Sequence, residues 1–223
     1  MLPPRARPAL SGEDVDRAIG LHRIGRDIMR ALAGETGAGI DRALDAALAE
    51  VGSYCGVDRA YVFRFRDEMA FVDNTHEWCA EGVTPEIDNL QGVPAEVAST
   101  WIEAFEHEEF VFVPSVAAIP DAESDLREIL EAQGILSLLV APLRAGGELI
   151  GFIGFDYVQA PSELSWIDVD VLVTIADTVA AALYRRDAER AARPIDRRDP
   201  LTGLPDEAHF RARLAAAVTE LRS

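Results

Sequence analysis

Ile135-Leu136-Ser137-Leu138-Leu139-Val140-Ala141-Pro142-Leu143-Arg144-Ala145-Gly146-Gly147-Glu148-Leu149-Ile150-Gly151-Phe152-Ile153-Gly154-Phe155-Asp156 reads as strand, turn and strand. Ile135 to Leu143 is almost wholly apolar, the pattern of a central strand covered on both faces. Arg144 to Glu148 supplies paired glycines for a hairpin turn. Leu149 to Val158 returns as the partner strand.

Upstream, Ala60 to Arg66 alternates towards its end and predicts a strand, with Met69 to Trp78 as its neighbour and a tight turn at Asp67-Glu68. Phe110 to Val113 is a short apolar strand stopped by Pro114. Pro94 to His107 and Ala122 to Gln133 are read as short helices.

The flanks are helical. Ser11 followed by Asp14 fits a capping box, and Val15, Ala18, Ile19, Ile24, Ile28 and Leu32 recur at helical spacing. Gly34, Gly37 and Gly39 interrupt, and a second helix follows on Ile40, Leu44, Ala47, Leu48 and Val51. After Pro161-Ser162 a long helix carries the seam Leu172, Ile175, Val179 and Leu183, then turns charged at Arg185, Arg186, Asp187, Glu189 and Arg190. Two readings stand, a helix capping the sheet and a strut pairing with a second copy. The strut is favoured, because the charged extension has no core to cover. Under that reading the four seam residues meet their counterparts in a homodimer, and Leu172→Glu with Val179→Glu weakens dimerisation.

The chain has 223 residues and a formal net charge of −18, with 21 Arg, no Lys and 39 acids. Residues 56–165 hold 5 Arg and 21 acids, whereas residues 184–223 hold 9 Arg and 7 acids. Such a field disfavours phosphate backbones and anionic membrane surfaces, so neither nucleic acid nor membrane is an expected partner. With 49% hydrophobic residues the chain can bury a core, and no apolar run is long enough to span a bilayer. Two cysteines, Cys55 and Cys79, make no disulfide scaffold. A cytoplasmic location is the expectation.

Gly39 to Arg186 resembles a GAF domain. The resemblance rests on Gly56-Val57-Asp58-Arg59-Ala60-Tyr61-Val62, on Pro142-Leu143 through Gly151-Phe152-Ile153-Gly154-Phe155-Asp156, and on Trp166 followed by an acidic, apolar helix. Asp199-Pro200-Leu201-Thr202-Gly203-Leu204-Pro205 resembles the opening of a GGDEF (diguanylate cyclase) domain, with Asp206-Glu207 where that family usually has Asn-Arg. Asp199, Leu201 and Thr202 are the expected signal-transmission motif. The chain is expected to stop just inside that domain, before its metal carboxylates, and so to be no enzyme itself.

Candidate chemistry is sparse. His76 and Cys79 point to opposite faces of a strand, which makes a poor chelate, and no metal site is expected. Neither cysteine is followed by His, as bilin attachment in related domains often has it, and the N-K-x-F-D-E run of some cyclic-nucleotide-binding GAF domains is absent. Cys79 between Glu77 and Glu81 has the wrong field for a reactive thiol. Trp101 is the best pocket candidate, with Trp78, Phe112 and Ser137 as further lining.

The expected fold class is α/β (α+β), a GAF-like central antiparallel sheet of five or six strands with helices on both faces and long flanking helices. The expected organisation is a leader (1–10), an N-terminal helix (11–38), the GAF domain (39–186), a linker (187–198) and the start of a GGDEF domain (199–223). No cofactor is identifiable. The resemblances imply a sensor that binds a small effector, dimerises through its N- and C-terminal helices and drives a cyclase. A ligand-free dimerisation spacer with a filled core and a GAF-fold thiol reductase are the alternatives.

Overall fold

The computed structural model describes residues 11–161 and 166–192. The chain divides into two compact units, residues 1–185 and 186–223. In the first unit, α1 (Gly12–Gly34) and α2 (Ala38–Cys55) precede β1 (Arg59–Arg66) and β2 (Phe71–Cys79). There follow β3 (Val93–Pro94), α3 (Ser99–Ala104), β4 (Val111–Val113), α4 (Ser124–Ala132), β5 (Ser137–Ala145) and β6 (Glu148–Tyr157). The last helix among the described residues is α5 (Trp166–Ala192). The six strands form one antiparallel sheet in the order β3-β2-β1-β6-β5-β4.

The predicted hairpin is the spine of this sheet, with Leu139 opposite Phe155 and Ala141 opposite Ile153. Alternation along the strands sorts side chains between two cores. Ala60, Val62, Leu139, Ala141, Ile153 and Phe155 join α1, α2 and α5 on one face. Tyr61, Phe63, Leu138, Val140 and Phe152 join α3 and α4 on the other.

Local rules explain the helix ends. Ser11 Oγ accepts from the Asp14 amide at 3.1 Å, and Asp14 Oδ2 accepts from the Ser11 amide at 2.9 Å, closing the capping box. Gly56 ends α2 at φ 68°, where a side chain would be strained. The predicted helix Pro94–His107 is shorter, a 3₁₀ turn at Ala95–Ala98 running into α3, and Ala122–Gln133 likewise resolves into a 3₁₀ turn and α4.

The strut reading of α5 is corrected. Leu172, Ile175, Val179 and Leu183 are at most 1% exposed, packed into this chain's own core with Leu21, Ile24 and Ile28 of α1. Burying such side chains contributes about 1.5–3 kcal/mol each, and the open face of the sheet lies close in the same chain. The seam is therefore filled without a second copy. Two polar ties hold α1 along α5. Arg17 Nε donates to Asp168 Oδ1 at 2.7 Å, and Arg185 Nη2 donates to the carbonyls of Leu32 and Glu35 where α1 ends. The described part of the second unit, residues 186–192, is the end of α5, where Arg186 donates to Asp187 Oδ1 at 3.1 Å.

Candidate functional site

On the face covered by α3 and α4 the core does not close. A cavity of about 60 Å³ remains between the sheet and its cover. Tyr61, Phe63 and Phe152 form its floor, and Trp101 and Leu130 its roof, with Leu90 at one side. Phe152 organises the aromatic wall. It stacks on Phe63 at 4.9 Å between centroids and takes Trp101 edge-on at 6.3 Å.

One end of this apolar space is charged. Arg59, 2% exposed, lines the cavity together with Gln133. Its Nη2 donates to the Thr84 carbonyl at 3.0 Å, and Nη1 reaches Asp156 Oδ2 at 3.3 Å and Gln133 Oε1 at 3.5 Å. Its Nε lies 3.6 Å from Glu77 Oε1 and makes no hydrogen bond. Glu77 also ties down the loop after β2, accepting from the amides of Glu86 at 2.8 Å and Ile87 at 3.0 Å. Tyr61 Oη donates to Asp156 Oδ1 at 2.9 Å.

Burial pushes the Asp156 carboxyl up to about 7, against the pull of Arg59 and Tyr61. The Tyr61 hydroxyl is pushed well up, by burial first and by Asp156 second. Burial works against the charge of Arg59, and the carboxylates of Asp156 and Glu77 keep it protonated.

Of the residues expected to line the pocket, only Trp101 lies on this cavity. Trp78 packs over Gly52 of α2, so close that a side chain at position 52 would collide with its ring. Phe112 packs against the core on the α5 side and shares with Trp101 a more open groove of about 370 Å³. Ser137, fully buried, occupies the same alternate positions of β5 as Leu139, on the α5 side. Arg59, Asp156 and Gln133 are residues of this site that sequence reasoning misses. The signal available was an ionisable residue on either side of apolar strand sequence, which burial makes expensive unless it is paired.

Asp199, Leu201 and Thr202 lie outside the described residues. No cysteine lines the cavity. Burial pushes Cys55 up to about 12, and burial followed by Glu77 raises Cys79, so neither is a ready nucleophile. Among the described residues, no group of three or more His, Cys, Asp or Glu could hold a metal ion, and no helix is long and apolar enough to cross a membrane.

The family model for the GAF domain matches residues 39–183, well over half of the chain. The chain belongs to the GAF domain family. It is a GAF sensory domain. The methanogenesis regulatory histidine kinase FilI of Methanothrix harundinacea (strain 6Ac) is 30% identical over 151 residues. The match takes in 66% of this chain and only 17% of that kinase.

Among solved structures, this GAF domain resembles the phycocyanobilin-bound GAF domain of a cyanobacterial phytochrome, with TM-score 0.63 and 20% identity over 76% of this chain and 96% of the other. It also resembles a domain of a putative two-component sensor histidine kinase from Sinorhizobium meliloti 1021, with TM-score 0.55 and 25% identity over 70% and 98%. The likeness to the bilin-bound domain is one of fold. A cavity of about 60 Å³ falls far below the several hundred Å³ that ligands of drug size or larger occupy.

Proposed function

We propose that this GAF domain is the receiver of a signalling protein, in which a small effector occupies the cavity beside Trp101 and its occupancy is passed through the sheet to α5. The observation that carries the reading is the cavity itself. A space of about 60 Å³ that protein atoms leave unfilled comes at a cost in packing. A spacer needs no such cost and would have a filled core; a receptor does need it.

A path to α5 is at hand. Phe152 faces the cavity, and its strand neighbours Ile153 and Phe155 share the other core with Leu172, Ile175 and Val179. A coupling of about 1–3 kcal/mol along this path changes output by roughly 5–150-fold. With the α5 seam buried, pairing of two copies through the terminal helices falls to the exposed stripe Val15, Ile19 and Met29 of α1.

For the output we infer a diguanylate cyclase, and hence control of cyclic di-GMP, from the GGDEF-like run Asp199–Pro205. The 30% identity with a histidine kinase supports a kinase as the second reading. Native mass spectrometry of freshly purified protein tests the effector. A co-purified small molecule is expected, and it is absent from Ala98→Leu, which fills the cavity. A protein that carries nothing, and that no metabolite extract stabilises, overturns the reading. Incubating the protein extended through the next domain with GTP, and separately with ATP, separates cyclase from kinase.

A further inference from the structure

Building on that reading, we propose that the cavity takes a small uncharged carbonyl compound, its oxygen accepting from the Arg59 guanidinium and its short apolar body lying against Phe63, Trp101 and Phe152.

Three observations select this class. The first is spare donor capacity. Arg59 makes one short hydrogen bond, to Thr84; its contacts to Asp156 and Gln133 are 3.3 and 3.5 Å, and Nε makes none. A buried guanidinium whose other contacts are this long gains from a further well-placed acceptor. The second is charge. Arg59 already faces two carboxyl groups, Asp156 and Glu77, so an anionic ligand would crowd further negative charge against them around one cation. A cation would meet the guanidinium head-on. An uncharged acceptor avoids both penalties. The third is size. The cavity is about 60 Å³, whereas a cavity that admits benzene measures about 150 Å³. A short-chain ketone, aldehyde or amide fits that space better than a ring.

The arrangement also suggests how binding is sensed. The same guanidinium holds the Thr84 carbonyl in the loop between β2 and β3, and that loop contributes Leu90 to the cavity wall. An acceptor drawn to Arg59 competes with Thr84 and loosens this side of the wall.

The test is a titration of the full chain, followed by protein NMR, with three compounds of equal heavy-atom count. These are 2-butanone, 2-methyl-1-butene and propionate. The ketone is expected to bind roughly ten- to a hundredfold more tightly than the alkene, the gain of one hydrogen bond to a charged donor. Propionate is expected to bind most weakly, and Ala98→Leu to abolish ketone binding. Equal binding of ketone and alkene overturns the carbonyl class and leaves the effector reading standing, as does propionate binding as well as the ketone. Ketone binding that survives Ala98→Leu overturns the site. Failure of all three compounds to bind overturns the proposal, and the effector reading then falls only if native mass spectrometry also finds no bound molecule.

Discussion

Arg59 of β1 and Asp156 of β6 stand opposite each other in the sheet, and their side chains meet at 3.3 Å with exposures of 2% and 0%. Two ionisable groups so far from water are tolerated only as a set. Asp156 has Tyr61 on its other oxygen, and Arg59 has Glu77 and Thr84. Removing one member strands the rest. Arg59→Met is expected to lower stability by about 3–5 kcal/mol. Adding Asp156→Leu to Arg59→Met should recover part of that loss. Urea denaturation followed by circular dichroism measures both, and a single variant as stable as the wild type would rule out a structural role for the pair.

The same pair sets a pH dependence. The Asp156 carboxyl lies near 7 in the fold against an ordinary 3.8, so between these values the native state holds a proton that the unfolded chain has released. Stability contributed by this group therefore falls as pH rises from about 4 to about 7, and levels off above. Asp156→Asn should flatten that slope. Asp73 works in a lower window. The Gly92 amide foremost, with Arg66, holds its carboxyl below the usual range, so its contribution is lost only as pH falls below about 4. Urea midpoints taken across both windows separate the two groups.

Because the α5 seam is buried in its own chain, Leu172→Ala should cost about 2–5 kcal/mol. The double change Leu172→Glu with Val179→Glu should unfold the protein rather than split a dimer. Ile19, 63% exposed on α1, behaves in the opposite way. Ile19→Glu should alter stability by no more than about 0.5 kcal/mol, while lowering the sedimentation coefficient if α1 joins two copies. A Leu172→Ala protein with unchanged midpoint contradicts packing of the seam in its own chain.

Two glycines give effects of opposite sign. A side chain on Gly151 would strike the Phe63 carbonyl oxygen, a backbone atom of the neighbouring strand that has no room to yield. Gly151→Ala should cost about 1–3 kcal/mol or more. Gly25 lies inside α1 with nothing near its missing side chain. Gly25→Ala should stabilise by about 0.5–1 kcal/mol. Thermal melts of the two variants check the order.

The hairpin from Ile135 to Asp156 was legible because its signal is local: an apolar run, two glycines, an apolar return. The capping box at Ser11 and the stripe on α2 were legible for the same reason. The site was only partly so. Trp101, a large aromatic on a short covering helix, stands out in the sequence and lies on the cavity. Sequence alone does not say which face a strand position turns to, and Trp78, Phe112 and Ser137, expected in the pocket, fall on the α5 side or pack towards it.

Local order along the chain thus determined the main strands, the long helices, the α1 cap and the membership of the GAF family. The destination of the α5 seam and the meeting of Arg59 with Asp156 were decided by tertiary packing. An apolar stripe is equally content against its own sheet or a second copy, and only the distance to the nearest uncovered surface chooses between them. The charge pair joins residues 97 positions apart, and its chemistry arises only once the sheet has excluded water from both.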